Sequence, residues 1–122
     1  MLNCLLVGIG GFIGAILRYL IGLIPMKSQT GFPIKTFLIN IIGAFAIGVI
    51  AAWATKNHIS DSRVVLLLKV GVCGGFTTFS TFAFETTDLM QKGQSGVALA
   101  YALSSVILGV LAVFAAQLVA TR

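Results

Sequence analysis

The sequence predicts an all-α membrane protein with four transmembrane helices in one domain that covers residues 1–122. Two observations lead to this fold class. Hydrophobic residues make up 58% of the chain and charged residues only 9%, whereas about a quarter of a soluble domain is charged. The apolar residues also fall into four runs, each of about the 20 residues that a helix needs to cross the hydrocarbon core. Lipid must therefore be the main solvent of the folded chain.

The four predicted spans follow one another with short polar connections. They cover residues 2–24, 34–55, 64–90 and 97–120, and Pro25 closes the first. The connections, MKSQTGFP, KNHISDSR and QKGQS, are rich in the Lys, Ser, Gly and Asn typical of loops. None is long enough for a second domain, and an even number of spans places both termini on the same side of the membrane.

The charged residues argue against a nucleic-acid partner. The net charge is +5, from eight Lys and Arg against three Asp and Glu, but the basic residues are scattered singly among apolar runs. A protein that follows a phosphate backbone needs a contiguous basic face. Positive charges that flank membrane helices explain this pattern more simply.

The basic residues divide equally between the two sides of the membrane. One side has Arg18, Lys27, Lys35 and Lys92, and the other has Lys56, Arg63, Lys69 and Arg122. Without a Lys/Arg bias, insertion has little reason to prefer one orientation. Two interpretations stay open: a chance tie in a short chain, or dual topology, in which the chain inserts both ways and pairs antiparallel with itself.

Small residues at helical spacing indicate close helix packing. Gly10-x-x-x-Gly14 and Gly71-x-x-x-Gly75 lie in the first and third spans, where absent side chains let backbones approach. Four helices are also few to enclose a polar path. We therefore expect a homo-oligomer, and a two-fold axis in the membrane plane would suit the charge tie.

Three polar side chains inside the spans are candidates for function, because lipid offers them no partners. Arg18 either extends its guanidinium to the interface or provides a positive charge in a vestibule that attracts anions. Asn40 either joins helices or donates hydrogen bonds to a dehydrated anion. Glu85 lies near the end of the third span, where it could accept hydrogen bonds or line a polar exit.

The third span contains the most unusual stretch, which opens with Gly74-Gly75. Adjacent glycines weaken a helix, so we predict a break here. A break frees backbone carbonyls that must be buried in protein or line a cavity, and freed carbonyls are ligands for a small hard cation such as sodium.

Aromatic and hydroxyl side chains alternate after the glycines. At about 100° per residue, Phe76, Phe79 and Phe82 share one third of the helix, and Thr77, Ser80 and Thr81 lie roughly opposite. Either the rings face lipid and the hydroxyls bond back to carbonyls one turn earlier, or ring edges and hydroxyls together line an anion path.

Three motifs together resemble the Fluc, or CrcB, family of fluoride channels. They are GGFIGAILRY (10–19), TFLINIIGAFAIG (36–48) and GVCGGFTTFSTFAFE (71–85), in the order and spacing of the family. The resemblance implies an antiparallel, dual-topology homodimer in the bacterial inner membrane. It also implies two pores that pass fluoride passively and lower cytoplasmic fluoride, and a structural sodium ion at the dimer centre, with no organic cofactor.

The resemblance also assigns roles to individual residues. The sodium ligands are the backbone carbonyls of Gly74 and Thr77 from both subunits. Phe76 is assigned to packing, and the vestibule residues are Arg18 and Glu85. The residues assigned to the fluoride pore are Phe79, Phe82, Asn40, Thr36, Ser80, Thr81, Tyr101 and Ser105.

Other functional classes fit the sequence less well. A small multidrug exporter is also a short four-helix dual-topology dimer, but it requires a carboxylate in the first helix, where this chain has Arg18. A structural membrane subunit needs no pore, and the polar stripe in the third span argues against this class. An enzyme is disfavoured because no cluster of His, Cys or carboxylates supplies a nucleophile, a base or metal ligands.

Overall fold

The computed structural model describes all 122 residues, and every regular element in it is helical. Helix α1 covers Leu2–Gly22 and α2 covers Ile34–Lys56. The third span, Arg63–Gln91, divides into α3, which ends at Phe76, and α4, Phe79–Gln91; α5 covers Ser95–Ala120. The four spans are long and apolar enough to cross a membrane. The prediction of an all-α protein with four such helices is confirmed.

Helix α3 is not uniform along its length. It begins with one turn at Arg63–Val65, where the side chain of Ser62 accepts a hydrogen bond from the Val65 amide. Residues Leu66–Cys73 are π-helical, and Gly74–Phe76 return to α-helix. Both the wide π-helical section and Gly74–Phe76 lie against α1.

The predicted break in the third span exists but is displaced along the chain. Gly74 and Gly75 remain helical, and the extended residues are Thr77 (φ −80°, ψ 158°) and Thr78 (φ −150°, ψ 116°). The Thr78 side chain accepts a 3.2 Å hydrogen bond from the Thr81 amide and so caps the start of α4. A threonine cap, and not glycine flexibility, fixes the position of the break.

The glycines of both predicted packing motifs bring α1 and α3 into backbone contact. A Cβ atom added at Gly71 would lie 2.8 Å from the Cα of Gly10, and one added at Gly75 would lie 2.5 Å from the carbonyl oxygen of Gly11. The two motifs therefore pack against each other within one chain. They are not available as contact surfaces for a second copy.

The protein core is small for a chain of this length. Only 15 of the 122 residues are buried. Tyr101 is the largest fully buried side chain, and it packs with Leu89 and Ala98 where α4 and α5 meet. Large apolar side chains such as Phe12 and Phe114 are exposed instead, as expected for a surface that contacts lipid.

Candidate functional site

The centre of the candidate site is a pair of hydrogen bonds between α2 and the break. The Asn40 side-chain amide donates to the Thr78 carbonyl at 3.0 Å, and its Oδ1 accepts from the Thr78 amide at 2.8 Å. Asn40 therefore supplies both backbone partners that Thr78 lacks outside a helix, where lipid would supply none. Of the two roles predicted for Asn40, joining helices is observed, and its second amide hydrogen stays free to donate.

The two carbonyls predicted as cation ligands both lose their helical donors at the break. In a continuous helix the Thr78 amide would bond the Gly74 carbonyl, but here it is bonded to Asn40. The Thr81 amide bonds the Thr78 hydroxyl, and no backbone amide donates to the Thr77 carbonyl. The oxygens of Gly74 and Thr77 thus lack their helical donors at mid-span.

A groove of about 360 Å³ opens beside the break. It is bordered by α2, the break, α4 and α5, and its wall is mainly apolar. Six of the ten predicted pore and metal residues border it together: Asn40, Gly74, Thr77, Phe79, Phe82 and Ser105. The groove contains no carboxylate and no lysine or arginine, so neutral groups alone would meet an ion there.

The phenylalanines do not form a single stripe of three. The break separates Phe76, which is buried in α3, from Phe79 and Phe82 on α4. The expectation that all three share one face assumed a continuous helix and is wrong for this reason. Phe79 is 79% exposed, and its ring centroid lies 5.8 Å from that of Phe82. Phe82 in turn contacts Tyr101 edge-to-face at 5.0 Å.

The hydroxyl groups around the break have different surroundings. Thr77 bonds back to the Cys73 carbonyl at 2.9 Å, as the alternative interpretation expected. Thr81 accepts a hydrogen bond from the Thr78 hydroxyl at 3.0 Å. Ser80 is exposed, and neither Ser80 nor Thr81 borders the groove. A single hydroxyl stripe opposite the rings is therefore not formed within one chain.

A second, smaller depression of about 220 Å³ lies near the start of α2. Thr36 donates a 2.5 Å hydrogen bond to Glu85 across this depression. Lys35 also borders it, while its ammonium donates to the Gly22 carbonyl at the end of α1 at 2.8 Å. The depression thus combines a carboxylate, a hydroxyl and a lysine at the end of the helices.

Two buried hydroxyls in this region have no hydrogen-bond partner. They are the Tyr101 phenol and the Ser105 side chain, both on α5. Tyr101 is fully buried, and Ser105 borders the main groove. An unpaired hydroxyl away from water costs about 1–3 kcal/mol. The Ser105 hydroxyl is therefore available to bind a ligand that enters the groove, whereas Tyr101 does not border it.

Arg18 lies apart from these groups. It is on α1 one turn after Gly14, whose surroundings are Val72, Gly75 and Phe76 of α3. The Nε atom of Arg18 is buried and has no hydrogen-bond partner, and the residue borders neither depression. The chain therefore holds a half-buried cation one turn beyond the contact of Gly14 with the end of α3.

Two residues of the site were not predicted from the sequence. Thr78 is both the cap of α4 and the partner of Asn40, and Lys35 borders the smaller depression. The pattern Thr78-x-x-Thr81 resembles a helix N-terminal signal and could have located the cap. No local signal indicates Lys35, because its carbonyl partner is on another helix.

Comparisons with known proteins identify similar sequences over the whole chain. The family profile described as CrcB-like protein, Camphor Resistance (CrcB), matches residues 5–117. A protein of Chlorobaculum tepidum named fluoride-specific ion channel FluC is 44% identical over 98% of this chain and 95% of its own length. Proteins of the same name from Caulobacter vibrioides (42% over 100% and 98%) and Oceanobacillus iheyensis (46% over 90% and 84%) are also similar.

Proposed function

This chain belongs to the CrcB family, and on that premise we propose that it is a fluoride-selective channel. Fluoride would pass down its electrochemical gradient without a coupled ion. The relatives are named as ion channels and not as enzymes. The observation that carries the proposal is the groove beside the helix break, where Phe79, Phe82 and Ser105 meet at the level of the membrane.

Neutral donors and ring edges in the groove suit a small anion. The hydroxyl of Ser105 has no partner, nor does that of the adjacent Tyr101. The edges of Phe79 and Phe82 carry partial positive charge, and Asn40 retains one free amide hydrogen. Because no fixed cation borders the groove, an anion would be attracted without being held too tightly to leave. The remaining pore residues in this proposal are Thr36, Ser80 and Thr81.

A second copy of the chain, inserted in the opposite orientation, completes the proposed channel. The groove is open on one side, and Phe79 at its edge is 79% exposed. Ser80 and the free carbonyls of the break also lack partners within the chain. The equal division of basic residues supports insertion in both orientations. A C-terminal tag should then label from both sides of the membrane, and one-sided labelling would reject dual topology.

A sodium ion bound by the carbonyls of Gly74 and Thr77 from both copies is part of the proposal. The donor set suits such an ion: these oxygens lack helical donors, and hard cations prefer oxygen ligands. The ion would offset the cost of placing unbonded carbonyls in lipid. It would also fix the two breaks against each other at the centre of the dimer.

Charged side chains near the helix ends complete the proposed route. Glu85 and Lys35 border the smaller depression, and Arg18 would raise the local anion concentration. The chain is a multi-pass membrane protein, and we place it in the bacterial inner membrane, where fluoride efflux would protect the cytoplasm. Fluoride release from liposomes that contain the purified protein is the direct test.

A further inference from the structure

A third depression, a groove with a mainly polar border, lies apart from the candidate pore. It has a volume of about 410 Å³, lies between the starts of α1 and α3, and shares no lining residue with the pore groove. Its polar border includes Asn3, Ser62, Arg63 and Lys69. We infer that this groove binds the phosphate group of an anionic phospholipid.

The position of the groove matches the level of lipid headgroups. Arg63 is the first residue of the third span, and Asn3 lies in the first turn of α1. Lys69 is six residues after Arg63, which places its backbone at most about 9 Å deeper at a rise of 1.5 Å per residue. The long lysine side chain can return its ammonium to the interface, so both cations reach the same level.

The two cations at the groove make no ion pair within the chain. The one ion pair in the structure is Lys92–Asp88, so neither Arg63 nor Lys69 is paired. Asp61 borders the groove but makes no ion pair. Unpaired cations at the membrane interface attract anionic headgroups. Lipid phosphate is the anion present at this level, and basic pockets between membrane helices are suited to it.

The neutral polar groups can complete a phosphate site. The Ser62 oxygen accepts from the Val65 amide at 3.3 Å, which leaves the hydroxyl hydrogen free to donate. The Asn3 side chain supplies amide donors, and the guanidinium of Arg63 can donate two parallel hydrogen bonds to phosphate. The site thus offers one anion two positive charges, offset in part by the Asp61 carboxylate, and several neutral donors.

The surroundings of the groove favour a lipid over free phosphate. Val70, which borders the groove, is 51% exposed, and Val64, Leu2 and Leu5 near lining residues in the sequence are also exposed. Exposed apolar side chains beside a cationic site can pack against acyl chains, which inorganic phosphate does not have. The proposal concerns lipid binding and is independent of whether the chain conducts fluoride.

Native mass spectrometry of purified protein tests this inference. The protein is exposed to an equal mixture of phosphatidylglycerol and phosphatidylcholine in detergent. The variant R63Q/K69Q should lose about tenfold in preference for phosphatidylglycerol, equivalent to about 1.4 kcal/mol. The control K56Q/R122Q removes the same charge from the same side of the membrane, outside the groove, and should bind as the unmodified protein does.

Two additional measurements distinguish lipid recognition from misfolding of the variant and from binding of free phosphate. K69R keeps the charge and should retain the lipid, because the positive charge at this position is what binds the headgroup. Inorganic phosphate, added in place of lipid, should neither bind nor compete at equal concentration. Equal lipid preference in R63Q/K69Q and the control, no preference in the unmodified protein, or displacement of lipid by inorganic phosphate would each overturn the inference.

Discussion

Asn40 binds both the amide and the carbonyl of Thr78, a residue 38 positions later in the chain. A single side chain thereby replaces the two backbone hydrogen bonds that a helix would provide. The consequence extends to Gly74, whose carbonyl loses its donor because the Thr78 amide is already used. The local geometry at the break and the free Gly74 carbonyl both depend on this contact.

Asn40→Ala should destabilise the protein by about 2–4 kcal/mol, because it removes two hydrogen bonds and leaves two half-buried backbone groups unpaired. Denaturant unfolding in detergent measures this change. Asn57→Ala is the matched control, since the Asn57 amide bonds only to the Trp53 carbonyl at an exposed helix end. If both substitutions cost the same free energy, Asn40 does not hold the break.

Phe79→Ile and Phe82→Ile should each lower fluoride flux by about tenfold, equivalent to about 1.4 kcal/mol at the limiting barrier. The reason is that isoleucine has no polarised ring edge to meet the anion. Phe84→Ile is the control, because Phe84 is on the same helix and 74% exposed but does not border the groove. Flux is measured with a fluoride electrode, and assembly by size-exclusion chromatography. Equal fluoride flux in all three variants would show that the rings of Phe79 and Phe82 contribute only to packing.

Gly75→Ala and Gly74→Ala should have different effects although they are adjacent. A Cβ atom at Gly75 would lie 2.5 Å from the Gly11 carbonyl oxygen, so this variant should lower the stability of the single chain. A Cβ atom at Gly74 meets nothing within 4 Å in the single chain. Gly74→Ala should therefore keep its helix content by circular dichroism but weaken self-association. A Gly74→Ala dimer as stable as the unmodified one would place the interface elsewhere.

Replacement of sodium by N-methyl-D-glucamine should weaken the dimer and reduce flux, because the carbonyls of Gly74 and Thr77 would lose their cation. At concentrations above Kd, each tenfold rise in sodium should stabilise the dimer by about 1.4 kcal/mol. Ionic strength and chloride are held constant so that screening does not change. A dimer stability that does not change with sodium concentration would contradict a sodium ion bound at the dimer centre.

The four helices could be predicted because each span carries its own signal in length and apolar composition. A broken third span was also predicted, from Gly74-Gly75, although both glycines stay helical and the break lies at Thr77 and Thr78. Its position was not, because Thr78 is held by Asn40 from a different helix. The calculation at about 100° per residue assumed a continuous helix, and it therefore placed Phe76 and Phe79 on one helix face incorrectly.

The contacts between distant parts of the chain account for the other differences. The motifs around Gly10 and Gly71 correctly indicated close packing, but not that they would pack against each other. The hydrogen bond from Thr36 to Glu85 joins residues 49 positions apart. Such pairs follow from how the helices are arranged in space, which neither hydropathy nor helical period specifies.

The central claim is that this chain conducts fluoride selectively and passively. Purified protein is placed in liposomes loaded with equal fluoride and chloride, and release is followed with ion-selective electrodes after potassium and valinomycin set the membrane potential. Fluoride should leave at once, chloride should stay, and removal of any pH gradient should not change the rate. No fluoride release, or release of chloride at the same rate, would contradict the account.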